Sequence, residues 1–290
     1  MSVPLTYLYA FDKNMPVSRR QQIFQEFAEC GAKHLVLTDE LIKQIHQDQE
    51  LPQTLQKEMS AAGLTFVDAH APFGPLWDLN CPEESLRDIM IARHKLNIRV
   101  AAMMGVDTIT IHIGNDLDMK TPFELHRRRV EEALEAILPD AEKYGVTVCI
   151  ENIWFCVNTP EELLRYKSLF PTDALGFCYD AGHANLMDKG RNYPECNAIT
   201  AARNVGRETP SWDDKILEKM LPHVVNCHIH DNMGQVDEHV LPGKGNIDWV
   251  KISSLLKQAP RLKNIQSETG CFGDAVSIKE TVEALKKYFA

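Results

Sequence analysis

Apolar residues recur along the chain in short bursts separated by charged stretches. Eight bursts, each six to eight residues long and rich in β-branched, aromatic and leucine side chains, read as strands: LTYLYA (5–10), HLVLTD (34–39), TFVDAHA (65–71), TITIHIG (108–114), TVCIENI (147–153), LGFCYDA (175–181), VVNCHIHD (224–231) and NIQSET (264–269). The intervening segments place apolar residues at helical spacing among charges, as in FELHRRRVEEALEAILPDAEKYG (123–145) and PEELLRYKSLF (160–170). Thr159-Pro160-Glu161-Glu162 predicts a capped helix start, and Gly63, Gly105 and Gly145 predict helix ends ahead of the third, fourth and fifth strands. Strand then helix, eight times, with strands apolar on both faces, predicts a (β/α)8 TIM barrel spanning residues 1–290 as one domain. A doubly wound sheet would call for a glycine-rich phosphate turn after the first strand, and LTYLYAFDK carries no GxGxxG. Two connections exceed what the fold needs: APFGPLWDLNCPEES after the third strand, and residues 189–212. The latter is expected either to cover a site or to contact a second copy in a homo-oligomer.

Composition narrows the class. A chain of 290 residues, 44% hydrophobic and 25% charged, is long enough for a large core. No apolar run is long enough to span a bilayer, because VAAMMGVDTITIHIG is interrupted by Asp107; no membrane association is expected. The start MSVPLTYLYAFDK lacks a secretion pattern, and the eight cysteines form no CxxC pair, so reduced thiols and a cytoplasmic location are expected. A net charge of −10 argues against a nucleic-acid partner. Arg127-Arg128-Arg129, the densest basic cluster, reads as a solvated helix surface.

In such a barrel the chemistry gathers at the C-terminal ends of the strands. There the chain delivers His70, His112, Glu151, Asp180 with His183, His228, the loop residues Asp237 and His239, and Glu268. Buried ionisable groups at this density are costly unless paired or metal-bound, so a metal site accounts for all of them together. Nine candidate ligands point to two or three divalent ions, or to one if some groups bind substrate; mixed imidazole and carboxylate donors suit Mn, Zn, Co or Fe. His230 and Asp231 stand outside this set as candidate supporting partners.

The pieces HAP (70–72), TIHIG (110–114), IEN (150–152), YDAGHA (179–184), HIHD (228–231), DEH (237–239), GKGNIDW (243–249) and SET (267–269) resemble the xylose-isomerase-like TIM barrels. That superfamily holds sugar and sugar-phosphate isomerases and epimerases, and the endonuclease IV type of abasic-site nuclease. By resemblance to its ketose epimerases, Glu151, Asp180, His228 and Glu268 hold one ion. Glu151 and Glu268 act as the acid/base pair through an enediolate, and His183 touches the substrate. Trp77, Trp154, Tyr7, Phe11 and Phe73 are candidates for an apolar wall against the sugar, and Lys244 for a phosphate contact. The endonuclease branch uses all nine positions for three metals and is the alternative reading, alongside a metal-dependent lyase or dehydratase working through an enolate. Against the nuclease stand an acidic second loop, TDELIKQIHQDQE, and a long Pro- and Trp-containing loop after His70.

Overall fold

The computed structural model describes residues 3–115, 122–207, 209–269 and 276–290. Its eight strands are β1 (Leu5–Tyr7), β2 (His34–Leu37), β3 (Thr65–His70), β4 (Thr108–Ile111), β5 (Thr147–Glu151), β6 (Leu175–Asp180), β7 (Val224–Ile229) and β8 (Ile265–Ser267). They pair in parallel and in chain order, and β8 closes on β1 through Leu5↔Ile265 and its neighbours. The predicted (β/α)8 barrel is the observed one. Each run that reads as a strand contains one, but most ladders stop before the run does. His112, Asn152, His230 and Glu268 lie just past the last paired residue, where a side chain can point across the rim instead of packing in a sheet.

The helices form the outer ring: α1 (Val17–Glu29), α2 (Asp39–Gln47), α3 (Leu51–Ala61), α4 (Arg87–Met103), α5 (Phe123–Tyr144), α6 (Pro160–Leu169), α7 (Ala181–Lys189), α8 (Asn197–Asn204), α9 (Ile216–Met220), α10 (Trp249–Leu256) and α11 (Ile278–Phe289). Their termini follow the local chemistry. Thr159 accepts from the amide of Glu162 with Pro160 in the first turn, and Gly145 ends α5 in the left-handed region at φ 69°. Buried faces such as Phe24 and Phe27 of α1 and Val130, Leu134 and Ile137 of α5 pack onto strand residues including Leu35, Ile109 and Ile150. Each such side chain is worth roughly 1.5–3 kcal/mol when fully buried. Among the described residues no helix is long and apolar enough to cross a membrane.

The arginine cluster departs from the expectation. Arg128 is exposed, but Arg127 pairs with Glu162 of α6, and Arg129 is buried with its guanidinium donating to the Pro82 carbonyl at 3.1 Å. Consecutive helix positions point in different directions, so one of three faces inward. Segment 189–212 likewise has a role that its length alone did not reveal. Its helix α8 supplies Asn197, whose side-chain oxygen accepts from the Asp237 amide at 2.8 Å, while the Asn197 amide donates to the Gln235 carbonyl at 2.9 Å. The segment therefore props the loop that carries Asp237 and His239.

Candidate metal centre

Alternation along the strands turns every second residue into the barrel, and at the C-terminal rim those residues are ionisable. Glu151 occupies the middle, 2% exposed. Its Oε1 faces His228 Nδ1 at 3.2 Å and His183 Nδ1 at 3.3 Å, and its Oε2 faces His112 Nε2 at 3.1 Å and His70 Nε2 at 4.0 Å. His228 also faces Glu268 Oε1 at 3.3 Å and Asp180 Oδ2 at 3.8 Å. Asp180 does two jobs: it caps α7 by accepting from the His183 amide at 2.6 Å, and it accepts from His230 Nε2 at 3.1 Å. A Cβ on Gly182 would overlap the His230 ring, so the glycine of YDAGHA is what lets helix and imidazole meet.

The opposite corner comes from the loop after β7. Asp231 and Val240 form an antiparallel bridge that folds the loop back over the rim. His239, the described non-glycine residue at positive φ (48°), lays its ring on that of His230 at 3.7 Å and contacts Asp237 Oδ2 at 3.0 Å. Asp231 is buried and accepts from the Gly243 amide at 2.8 Å and from Trp249 Nε1 at 2.8 Å. Its role is to hold the GKGNIDW turn; it does not reach the centre.

Three imidazoles have their rear nitrogens tied to backbone carbonyls. Nδ1 of His70, His183 and His239 faces the carbonyl of Ala71, Asn152 and Glu268 at 2.8, 3.0 and 2.8 Å. A donated Nδ1–H leaves each Nε2 as the free lone pair, the arrangement in which a ligating histidine is held. Charge follows the same geometry. Burial would raise the Glu151 carboxyl, but His228, His112 and His183 together hold it well below the usual range. Burial depresses His228, yet Glu268 and Glu151 outweigh it and lift the imidazole to about 10. His239 is likewise penalised by burial and lifted by Asp237 to about 9.

Four groups of donor atoms each converge within 4.8 Å: His183, His230, Asp237 and His239; His70, Glu151 and His228; Glu151, Asp180 and His183; Asp180, His230 and Glu268. Glu151 Oε2, His230 Nδ1 and Asp237 Oδ1 are buried without a hydrogen-bond partner. His230 Nδ1 and Asp237 Oδ1 face each other at 3.9 Å, and unpartnered buried acceptors within an imidazole and carboxylate donor set fit a divalent transition ion. All nine residues singled out in the sequence meet here, and His230 joins them. Its signal was available, since it follows His228 by two and so shares its face of the strand.

Over the centre opens a cavity of about 590 Å³. Phe73, Trp154, Phe155, Ile153, Phe11 and Leu8 contribute its apolar wall, and Trp154 packs edge-on to His183 at 4.7 Å. Trp77 and Lys244 do not line it. Trp77 turns outward, where Arg93 covers its ring at 4.6 Å, and Lys244 is exposed on the far side of the GKG turn. Tyr7 is buried in the core against Phe27.

A closed parallel barrel with a carboxylate–imidazole centre at its C-terminal rim defines the class. Residues 24–288 match the family model of the xylose isomerase-like TIM barrel, and the chain belongs to that family. An uncharacterised protein of Methanocaldococcus jannaschii is 28% identical over 235 residues, covering 77% of this chain and 69% of the relative. Among solved structures, a D-tagatose 3-epimerase-like protein superposes with a TM-score of 0.73 at 20% identity, covering 99% of this chain and 97% of that one. The IolI protein with a bound zinc atom superposes at 0.70 and 17% identity, covering 99% and 96%. The 3-keto-D-glucoside 4-epimerase YcjR of E. coli does so at 0.69 and 14%, covering 99% and 98%. At these identities the likeness is one of fold.

Proposed function

We propose that the protein is a divalent-metal-dependent isomerase or epimerase of a small sugar-like ketone, with Glu151 and Glu268 as its acid/base pair. One observation carries the reading: the two carboxylates flank His228 Nδ1, at 3.2 and 3.3 Å, at the foot of a cavity sized for a small molecule. Glu151, Asp180, His228 and Glu268 would hold the ion, which supplies an electrophile for the substrate carbonyl oxygen. Glu151 and Glu268 then face the substrate from two sides; one removes the proton beside the carbonyl and the other returns one to the enediolate. Trp154 and Phe73 exclude water from that carbon, and His183, fixed by the Asn152 carbonyl, presents Nε2 to a substrate hydroxyl. The related solved structures whose names record sugar epimerases support this choice of substrate class.

Among the described residues lining the cavity there is no Lys or Arg, whereas Asp12, Asp39, Glu40, Asp78, Glu151, Asp237 and Glu268 all contribute. This favours an uncharged sugar over a sugar phosphate. It also weighs against the nuclease reading, which the second corner of His183, Asp237 and His239 otherwise favours. The test is deuterium uptake from solvent by a panel of unphosphorylated ketoses and ketoglycosides, using protein loaded with Mn or Zn and a chelated control. Metal-dependent exchange at a carbon next to a carbonyl is the expected result. No exchange, with metal-dependent incision of a duplex bearing one abasic site, would replace the isomerase by the nuclease.

A further inference from the structure

The inside of a (β/α)8 barrel is ordinarily filled by layers of branched apolar side chains. Beneath this site it is not. Asp68 of β3, Thr108 and Thr110 of β4, Asn226 of β7, and Asn264 and Gln266 on the β8 side are all 0–1% exposed, and the first five bond to one another across the bore. Asp68 accepts from Thr108 Oγ1 at 2.7 Å and from Asn226 Nδ2 at 3.1 Å. Asn226 Nδ2 also reaches Thr110 Oγ1 at 2.9 Å, and Asn264 Nδ2 donates to Thr108 Oγ1 at 3.0 Å. Polar groups buried in this way are expensive compared with an apolar layer, and Asn226 Oδ1, Asn264 Oδ1 and Gln266 Oε1 are left without partners.

The layer ends on two groups of the site. Gln266 Nε2 donates to Glu268 Oε1 at 2.8 Å, and Thr110 Oγ1 lies 3.5 Å from His228 Nε2. His228 is distinctive in this respect. His70, His183 and His239 are oriented by backbone carbonyls, whereas the rear nitrogen of His228 faces a side chain of the floor. An Oγ1 already receiving the Asn226 amide can accept a hydrogen bond from Nε2–H, which holds the ring with Nδ1 directed at Glu151 and Glu268.

We propose that this polar floor is a positioning device: Gln266 fixes the carboxylate of Glu268, and Asp68, through Asn226 and Thr110, fixes the ring of His228. Glu268 and His228 are presented in one rotamer before any ligand arrives. The metal arm of the test rests on the proposed reading of the site; the structural arm does not.

Zinc affinity is measured on the full chain by competition with a chromophoric chelator, and ligand geometry from the visible spectrum of the cobalt-loaded protein. Gln266→Leu and Asp68→Asn are expected to weaken zinc about ten- to a hundred-fold and to change the cobalt spectrum. Gln266→Met serves if the leucine variant does not fold, and Thr110→Val, which removes the hydroxyl through which Asp68 and Asn226 reach His228, is expected to weaken zinc at least as much as Asp68→Asn. Val225→Ala, which trims a buried neighbour of Cys149 and Cys178, should lower the unfolding midpoint and leave zinc affinity alone. Wild-type zinc affinity and cobalt spectrum in Gln266→Leu and Asp68→Asn would overturn the proposal. If the parent binds neither ion, the proposed function falls, and a crystal structure of Gln266→Leu decides the floor: Glu268 displaced supports it, Glu268 in place overturns it.

Discussion

The two sides of the barrel rim share one backbone frame and differ in what their strand ends bury, the carboxylates Asp12, Asp39 and Glu40 of the β1–β2 side lying further along the chain. At the ends of β1 and β2 stand Leu8, Ala10, Phe11 and Thr38; Phe11 is 1% exposed and packs its ring 5.4 Å from Phe24. From β3 round to β8 the same rim carries His70, His112, Glu151, Asp180, His228 and Glu268. Parallel pairing serves both sides alike, because ladder hydrogen bonds do not depend on side chains. What differs is what burial does. On the β1–β2 side it stabilises; on the β3–β8 side it strips water from charges that only one another, or an ion, can compensate. Stability and chemistry are concentrated in different sectors of one barrel, so substitutions should separate them.

The largest separation is expected at the proposed acid/base pair. Glu151→Gln and Glu268→Gln keep shape and should each lower solvent-proton exchange by about 10³-fold, roughly 4 kcal/mol of barrel-rim chemistry. Circular dichroism and unfolding should stay near those of the parent; near-parental exchange in either variant would remove it from the pair. The converse is Phe11→Ala, which should cost about 3–5 kcal/mol in urea unfolding while zinc affinity stays within a few-fold. Loss of zinc binding with parental stability would erase the division between the two sides.

A third outcome concerns pH. His94 lies fully buried behind the β3 loop, where burial, opposed by the bond from Nε2 to the Trp77 carbonyl, lowers its pKa to about 4. The folded value is below the unfolded one of about 6.5. Its contribution is therefore complete above pH 6.5, and is lost as pH falls from there towards 4, where the unfolded chain binds the extra proton. Parental stability should drop by about 2 kcal/mol more than that of His94→Gln between pH 7 and pH 5. Parallel pH curves for the two proteins would show that His94 does not titrate in this way. The smallest effect is expected at Lys244→Ala. The residue is exposed and outside the cavity, so stability and exchange should remain within about 0.5 kcal/mol. A large rise in KM would return Lys244 to the site.

How much of this could be read from the chain depended on whether the relevant rule is local. Gly63, Gly105 and Gly145, all at positive φ, punctuate the helices as their positions imply, and the apolar runs give all eight strands. The nine ionisable residues could be collected because a barrel delivers every strand end to one rim, so position in a run substitutes for position in space. Contacts that cross the bore or depend on the direction of a turn had no such proxy. Trp77 and Lys244 sit in plausible loops yet point away from the cavity, and Arg129 turns inward from a cluster that reads as solvated.

The amino-acid sequence by itself therefore determined the strand order, the closed barrel and the identity of the residues at its rim, because periodicity and strand-end placement are properties of neighbouring positions; the extra helices α3, α8 and α9 go beyond the one helix per strand that it predicts. Only the tertiary structure decided that His230 belongs to the centre while Asp231 holds a turn, that Asn197 braces the Asp237 loop, and that Asp68 and Gln266 underlie His228 and Glu268. Asn226 meets Asp68 across 158 positions of chain, and no local pattern encodes such a distance. It is the closure of the barrel that brings the two together.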